Sequence, residues 1–149
     1  MKKLFIVAGL LVFVGVAWWL GSPLFISKTV NEGLDEIMAT ENEDALIISS
    51  GIFIGLAGHH GEGTARLIKS EEKHYVRFDE DFNVTNGPDL FVYLGKDGQY
   101  DPAAKLDSLK GNIGSQNYEI PAGINVSDYN EVWVWCRAFR VPFAKALLE

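Results

Sequence analysis

Hydrophobic and polar positions divide the chain into three regimes. From Leu4 to Leu20, seventeen residues carry no charge and no strongly polar side chain. As a helix this run covers about 26 Å, just short of a bilayer core. Gly21-Ser22-Pro23 interrupts it, and Leu24-Phe25-Ile26 resumes it. From Ser27 to Asp44 the chain turns acidic, with Glu32, Asp35, Glu36, Glu41, Glu43 and Asp44 opposed only by Lys28. Leu34, Ile37 and Met38 form one weak helical stripe there. From Ala45 onward the pattern becomes strand-like. Residues 45–54, 64–68, 74–78, 89–94, 116–120 and 131–141 are short runs rich in β-branched or aromatic residues. Gly- and Pro-containing turn signals separate them. The spacing predicts an all-β, antiparallel sandwich-like or barrel domain. Residues 143–148 fit a closing strand or a helical turn.

The domain reading is therefore a membrane anchor or signal peptide over residues 1–26, an acidic linker over 27–44 and a β domain over 45–149. The fold expected is all-β, an antiparallel β-sandwich-like domain preceded by one N-terminal transmembrane helix. Trp18 and Trp19 fall where amphipathic aromatics favour a membrane interface. Lys2 and Lys3 orient the N-terminus to the cytoplasm by the positive-inside tendency. Contact with a membrane through residues 4–26 and a cell-membrane location follow, with the domain on the extracytoplasmic side. Gly15-Val16-Ala17 also fits a signal-peptidase site. Both alternatives export the domain.

Charge sharpens this picture. All 20 acidic residues follow the hydrophobic run, where 11 of the 13 Lys and Arg remain, so the exported part is strongly acidic. Phosphate-backbone binding needs clustered cations, and no such cluster occurs, so nucleic acid is not an expected partner. No Ser-His-Asp order, Gly-rich phosphate loop or Cys cluster occurs either, which disfavours a conventional hydrolase or nucleotide enzyme. Asp79-Glu80-Asp81 opens like a calcium loop, yet Val84 and Leu90 stand where such a loop needs Gly and Glu.

Candidate chemistry centres on Cys136, the single cysteine. It cannot form an intramolecular disulfide. Strand alternation puts Val132, Val134 and Cys136 on one face and Trp133, Trp135 and Arg137 on the other. Cys136 is then either a buried core residue or a reactive thiol, the latter requiring exposure and a nearby cation such as Arg137 or Arg140. His59 and His60 sit in a glycine-rich loop with Glu62 close by. Each is either a metal or cofactor ligand, or a base for a thiolate, or a polar loop residue.

Several ordered motifs carry a resemblance. They are Gly51-x-Phe53, His59-His60-x-x-Gly63-x-Ala65, Asn86-Gly87-Pro88-Asp89-Leu90-x-Val92-Tyr93-Leu94, Leu109-Lys110-Gly111-x-x-Gly114-x-Gln116-x-Tyr118-x-Ile120-Pro121 and Val132-x-Val134-Trp135-Cys136-x-x-Phe139. Together, over about Ser49 to Leu148, they resemble the DM13 domain. The resemblance implies a β-rich extracytoplasmic domain with a redox or electron-transfer role centred on Cys136. That cysteine would act as a bare thiol or through a prosthetic group. From the residues themselves, haem or a metal is the cofactor class and Cys136, His59 and His60 are the ligand candidates. A redox protein would be the partner. The alternative function is a non-enzymatic binding or adhesion module for a protein, glycan or small ligand, using loops such as 58–63 and 95–102.

Overall fold

The computed structural model describes residues 2–22, 26–38 and 46–149. Helix α1 spans Lys2–Gly21. Among the described residues ten strands follow: β1 Leu46–Gly55, β2 Gly61–Glu62, β3 Thr64–Ser70, β4 Lys73–Phe78, β5 Asn83–Val84, β6 Leu90–Lys96, β7 Gln99–Ser108, β8 Gln116–Glu119, β9 Glu131–Cys136 and β10 Val141–Leu147. Eight form one sheet in the order β7-β6-β9-β10-β1-β3-β4-β8, while β2 and β5 pair separately. Every strand pairing is antiparallel.

The sandwich-like expectation holds in a particular form. β1 pairs through Leu46–Ile52 with β3 and through Phe53–Gly55 with β10. One strand thus turns the corner between two half-sheets, as in orthogonal packings. The outer strands β7 and β8 approach without pairing, so the sheet nearly closes into a barrel. Its interior holds Phe53, Phe78, Phe82, Val92, Tyr118, Val132, Val134 and Cys136, among others. Phe53, Phe78 and Phe82 meet with ring centroids 4.5–5.0 Å apart, the spacing at which aromatic pairs attract.

Residues 131–141 are not one strand. The chain reverses at Arg137–Arg140, where Arg140 takes a positive φ of 55°, and Cys136 pairs with Val141 across the hairpin. Residues 143–148 are the closing strand of the two forms considered. β7 went unread because Pro102, Lys105 and two aspartates break its apolar alternation. Its hairpin with β6 turns on Asp97-Gly98, both at positive φ, the residue pair that suits a two-residue turn.

The helix expected at the N-terminus is present, with Phe5, Leu11, Phe13, Trp18 and Trp19 exposed. Its expected membrane crossing is not supported. Among the described residues, no helix is long and apolar enough to cross a membrane.

Within the segment expected to be a linker, residues 28–33 lie against the domain. Val30 N donates to Ile113 O at 2.9 Å and Glu32 N to Ser115 O at 3.0 Å, while Lys28 N donates to Asn112 Oδ1 at 2.7 Å. A parallel bridge joins Thr29 and Ile113. The Glu32 carboxylate takes Lys110 Nζ at 2.8 Å and Asn117 N at 2.7 Å. Gly111 and Gly114 make this approach possible. A Cβ on either would come within 2.5 Å and 2.2 Å of the Lys28 and Val30 carbonyl oxygens. The acidic residues from Glu41 to Asp44 lie outside the described residues.

Candidate functional site

Alternation along β9 puts Val132, Val134 and Cys136 in the core. The strand is interior to the sheet, with β6 on one side and β10 on the other. Cys136 is its last residue, paired with Leu90 and Val141. The thiol is 0% exposed. Its end of the barrel is closed by apolar groups: Leu90 and Phe143 are buried, and Gly87 backs onto both.

The cations nominated for the thiol point elsewhere. Arg137 extends from the outer face, with Nε 3.1 Å from Asp89 Oδ2 and its guanidinium 4.4 Å from the Phe91 ring centroid. Its backbone N also donates to Asp89 O at 3.0 Å. Arg140 is exposed in the turn. A lowered thiol pKa needs such a cation or a helix N-terminus beside the sulfur. Among the described residues, no hydrogen bond or ion pair joins Cys136 to His59, His60 or Arg140.

The two histidines diverge. His59 stacks flat on Phe143, with centroids 3.7 Å apart and planes at 10°. His60 Nε2 lies 3.2 Å from Glu62 Oε1, and its backbone N donates to Thr85 Oγ1 at 2.8 Å. Phe143 and Val141 are both on β10, so His59 and Cys136 are served by one strand but in different contacts. Among the described residues, no three His, Cys, Asp or Glu side chains converge on one point. Haem does not fit at Cys136 either, because the described clefts are lined by other residues and the sulfur is packed in the core. The acidic turn at Asp79–Asp81 is tied up structurally: Asp79 takes Arg66 Nε at 2.6 Å and Asp81 takes Thr64 N at 2.9 Å.

The outer face of β9 carries what sequence reasoning passed over. Trp133 is buried, its Nε1 donating to Glu131 Oε2 at 3.0 Å. Glu131 is also buried, its other oxygen taking Lys145 Nζ at 3.1 Å and Gly98 N at 3.2 Å. An acidic residue opening an aromatic strand was the available signal. Tyr100, from β7, stacks on Trp135 at 4.2 Å and 27° and meets Tyr93 edge-on at 5.1 Å. Burial raises the Tyr93 phenol pKa above its ordinary value.

A solvent-reaching cleft of about 420 Å³ lies between the arm at Ile26 and Lys28 and residues 86–91 and 108–112. Leu90, which pairs with Cys136, forms part of its wall. Neither loop 58–63 nor loop 95–102 lines it.

Residues 53–148 match a protein-family model described as "Electron transfer DM13". No curated protein and no solved structure matches the chain.

Proposed function

The chain belongs to the DM13 family, and on that premise we propose that it is an electron-transfer domain held at a membrane, with Cys136 as a gated redox thiol. The observation that carries the gating is the position of the cysteine. It is sealed, yet it is the terminal rung of β9, one residue before an exposed hairpin turn. Strand ends open locally at far lower free energy than the whole domain. Opening of this end would free Sγ while the rest of the core stays packed. The exposed sulfur, as thiolate, would attack a disulfide of a redox protein partner. One S–S bond forms and one breaks, and the proton lost by Cys136 ends on the departing partner sulfur.

Attachment to the membrane rests on the apolar helix. Its described side chains from Phe5 to Trp19 are exposed, and after the Gly21-Ser22-Pro23 break the sequence is apolar again at Leu24, Phe25 and Ile26. An uncovered surface of that extent needs lipid or another apolar cover. As an anchor or a cleaved leader, a segment opening on Lys2 and Lys3 would export the domain that follows it. The favoured location is therefore the cell membrane, domain on the extracytoplasmic side.

The test is thiol labelling of the folded full chain with an aromatic disulfide, followed across sub-denaturing urea. Gated reactivity gives a rate with a shallower urea dependence than global unfolding, and Asp89→Asn, which weakens the Arg137 tether, raises it. Labelling that occurs only with the urea dependence of global unfolding would sink the gated thiol. A second reading, ligand binding, has one observation in its favour. The cleft of about 420 Å³ is within the usual size of small-ligand sites and mixes apolar walls with convergent polar groups.

A further inference from the structure

We propose that the outer face of β6, β7 and β9 is a one-electron relay, with the stacked pair Trp135 and Tyr100 as its donor site. The inference rests on the electron-transfer reading but not on the cysteine. Three observations support it. First, the rings are continuous. Trp135 and Tyr100 stack at 4.2 Å, and Tyr93 follows Tyr100 at 5.1 Å. All three side chains are oxidisable, and none is a phenylalanine.

Second, the cations on this face are distributed unevenly. Lys105 and Arg137 lie over Phe91 at 5.2 Å and 4.4 Å, and Lys145 lies over Trp133 at 5.1 Å. Among the described residues, none lies over Trp135 or Tyr100. A cation over a ring stabilises its electron-rich neutral form, and so opposes removal of an electron. Phe91 is thereby made harder to oxidise, and at Trp133 Lys145 both covers the ring and offsets the Glu131 carboxylate that takes the indole N–H, so a hole on this face is drawn to the Trp135–Tyr100 stack.

Third, Tyr100 reaches solvent. It lines a shallow cleft of about 350 Å³ with Lys96, Asp97 and Asp101, so a phenol proton has an exit. Tyr93 is almost fully covered and lacks one.

The step balances with a high-potential one-electron metal oxidant. An electron leaves the Trp135 indole for the metal, which is reduced by one unit. Tyr100 returns an electron to the indole radical cation, and its phenolic O–H breaks, the proton going to water. A neutral tyrosyl radical remains beside Tyr93. One electron and one proton from a thiol- or ascorbate-class reductant restore the phenol.

The experiment uses the full chain in nanodiscs, with Trp18→Phe and Trp19→Phe to silence the exposed helix indoles. A ruthenium polypyridyl photosensitiser with a sacrificial acceptor generates the oxidant, and transient absorption with freeze-quench EPR reads the radicals. Tryptophanyl signal followed by tyrosyl signal is expected. Tyr100→Phe should leave only the tryptophanyl signal, and Tyr100→Phe with Trp135→Phe should lose most of the radical yield. Unchanged yield in the double variant, with a melting temperature near that of the parent, overturns the relay. Cys136→Ala in the same experiment should leave the yield as it was. Loss of the signals in that variant would overturn the relay as independent of the thiol. The relay and the gated thiol therefore fail separately.

Discussion

Replacing Cys136 by serine tests the environment of the thiol in a single step. The sulfur is 0% exposed and packed within the core. A serine there carries a hydroxyl with no polar side chain offered to it. An unsatisfied buried hydroxyl costs about 1–3 kcal/mol, and the lost sulfur contacts add a few tenths more. The sum is about 1–3 kcal/mol. For a domain of this size each kcal/mol moves the melting temperature by about 4 °C, so a fall of about 4–12 °C is expected. Cys136→Ala removes the sulfur without adding a polar group and should cost only about 1 kcal/mol. The expected order is therefore wild type, then alanine, then serine. Thermal circular dichroism on the full chain in detergent measures it. Serine matching the wild type to within about 2 °C, or alanine falling below serine, would refute the reasoning, because either result places a polar partner or water beside the sulfur.

Two further outcomes follow from the polar network around the arm and from Tyr118. Glu32→Ala strips Lys110 Nζ of its carboxylate and leaves Asn117 N, on a residue only 7% exposed, without an acceptor. The part-buried ion pair contributes modestly, and the orphaned donor should bring the loss to about 2 kcal/mol, read as a lower urea midpoint. Tyr118 accepts from Lys110 N and donates to Gln116 Oε1, and burial raises its pKa well above the ordinary tyrosine value. The native state then holds a phenolic proton that the unfolded chain loses. Stability is full below about pH 10 and declines as pH rises above it. Urea midpoints at about pH 9 and pH 11 should differ, and less so in Tyr118→Phe; an equal decline in both would assign the effect to other groups.

Local pattern carried the parts of the fold that are local. Two-residue alternation was enough to put Val132, Val134 and Cys136 inward, because β9 is short, regular and interior to the sheet. It could not find the break at Arg137–Arg140, since Ala138 and Phe139 keep the apolar rhythm across a turn. The arm was illegible for a different reason. Its pairing is with residues more than eighty positions away, and Glu32 reads as a solvated charge unless Lys110 and Asn117 are known to be beside it. The glycines at 111 and 114 were visible as a motif, but their cause, the arm's carbonyls, was not. The histidine pair illustrates the same limit. Sequence put His59 and His60 together, and the backbone then aimed one at Phe143 and the other at Glu62.

The two faces of β9 explain why a lone cysteine and a set of aromatic rings should not be read as one centre. Trp135 and Cys136 are neighbours in sequence, yet their side chains leave the strand in opposite directions, one to the outer ring stack and one to the sealed core. As a gated redox thiol, Cys136 would react by two-electron exchange with a partner's sulfur, at a rate limited by how often the hairpin end opens. The rings exchange single electrons without contact at the reacting atom and need no opening. Because Trp135 also braces the end of β9, with Pro142 opposite it on β10, shortening it to phenylalanine loosens the same end that encloses Cys136. Thiol labelling should therefore quicken in Trp135→Phe and stay unchanged in Tyr100→Phe. That asymmetry assigns the coupling between the two faces to packing along one strand rather than to electron transfer through it.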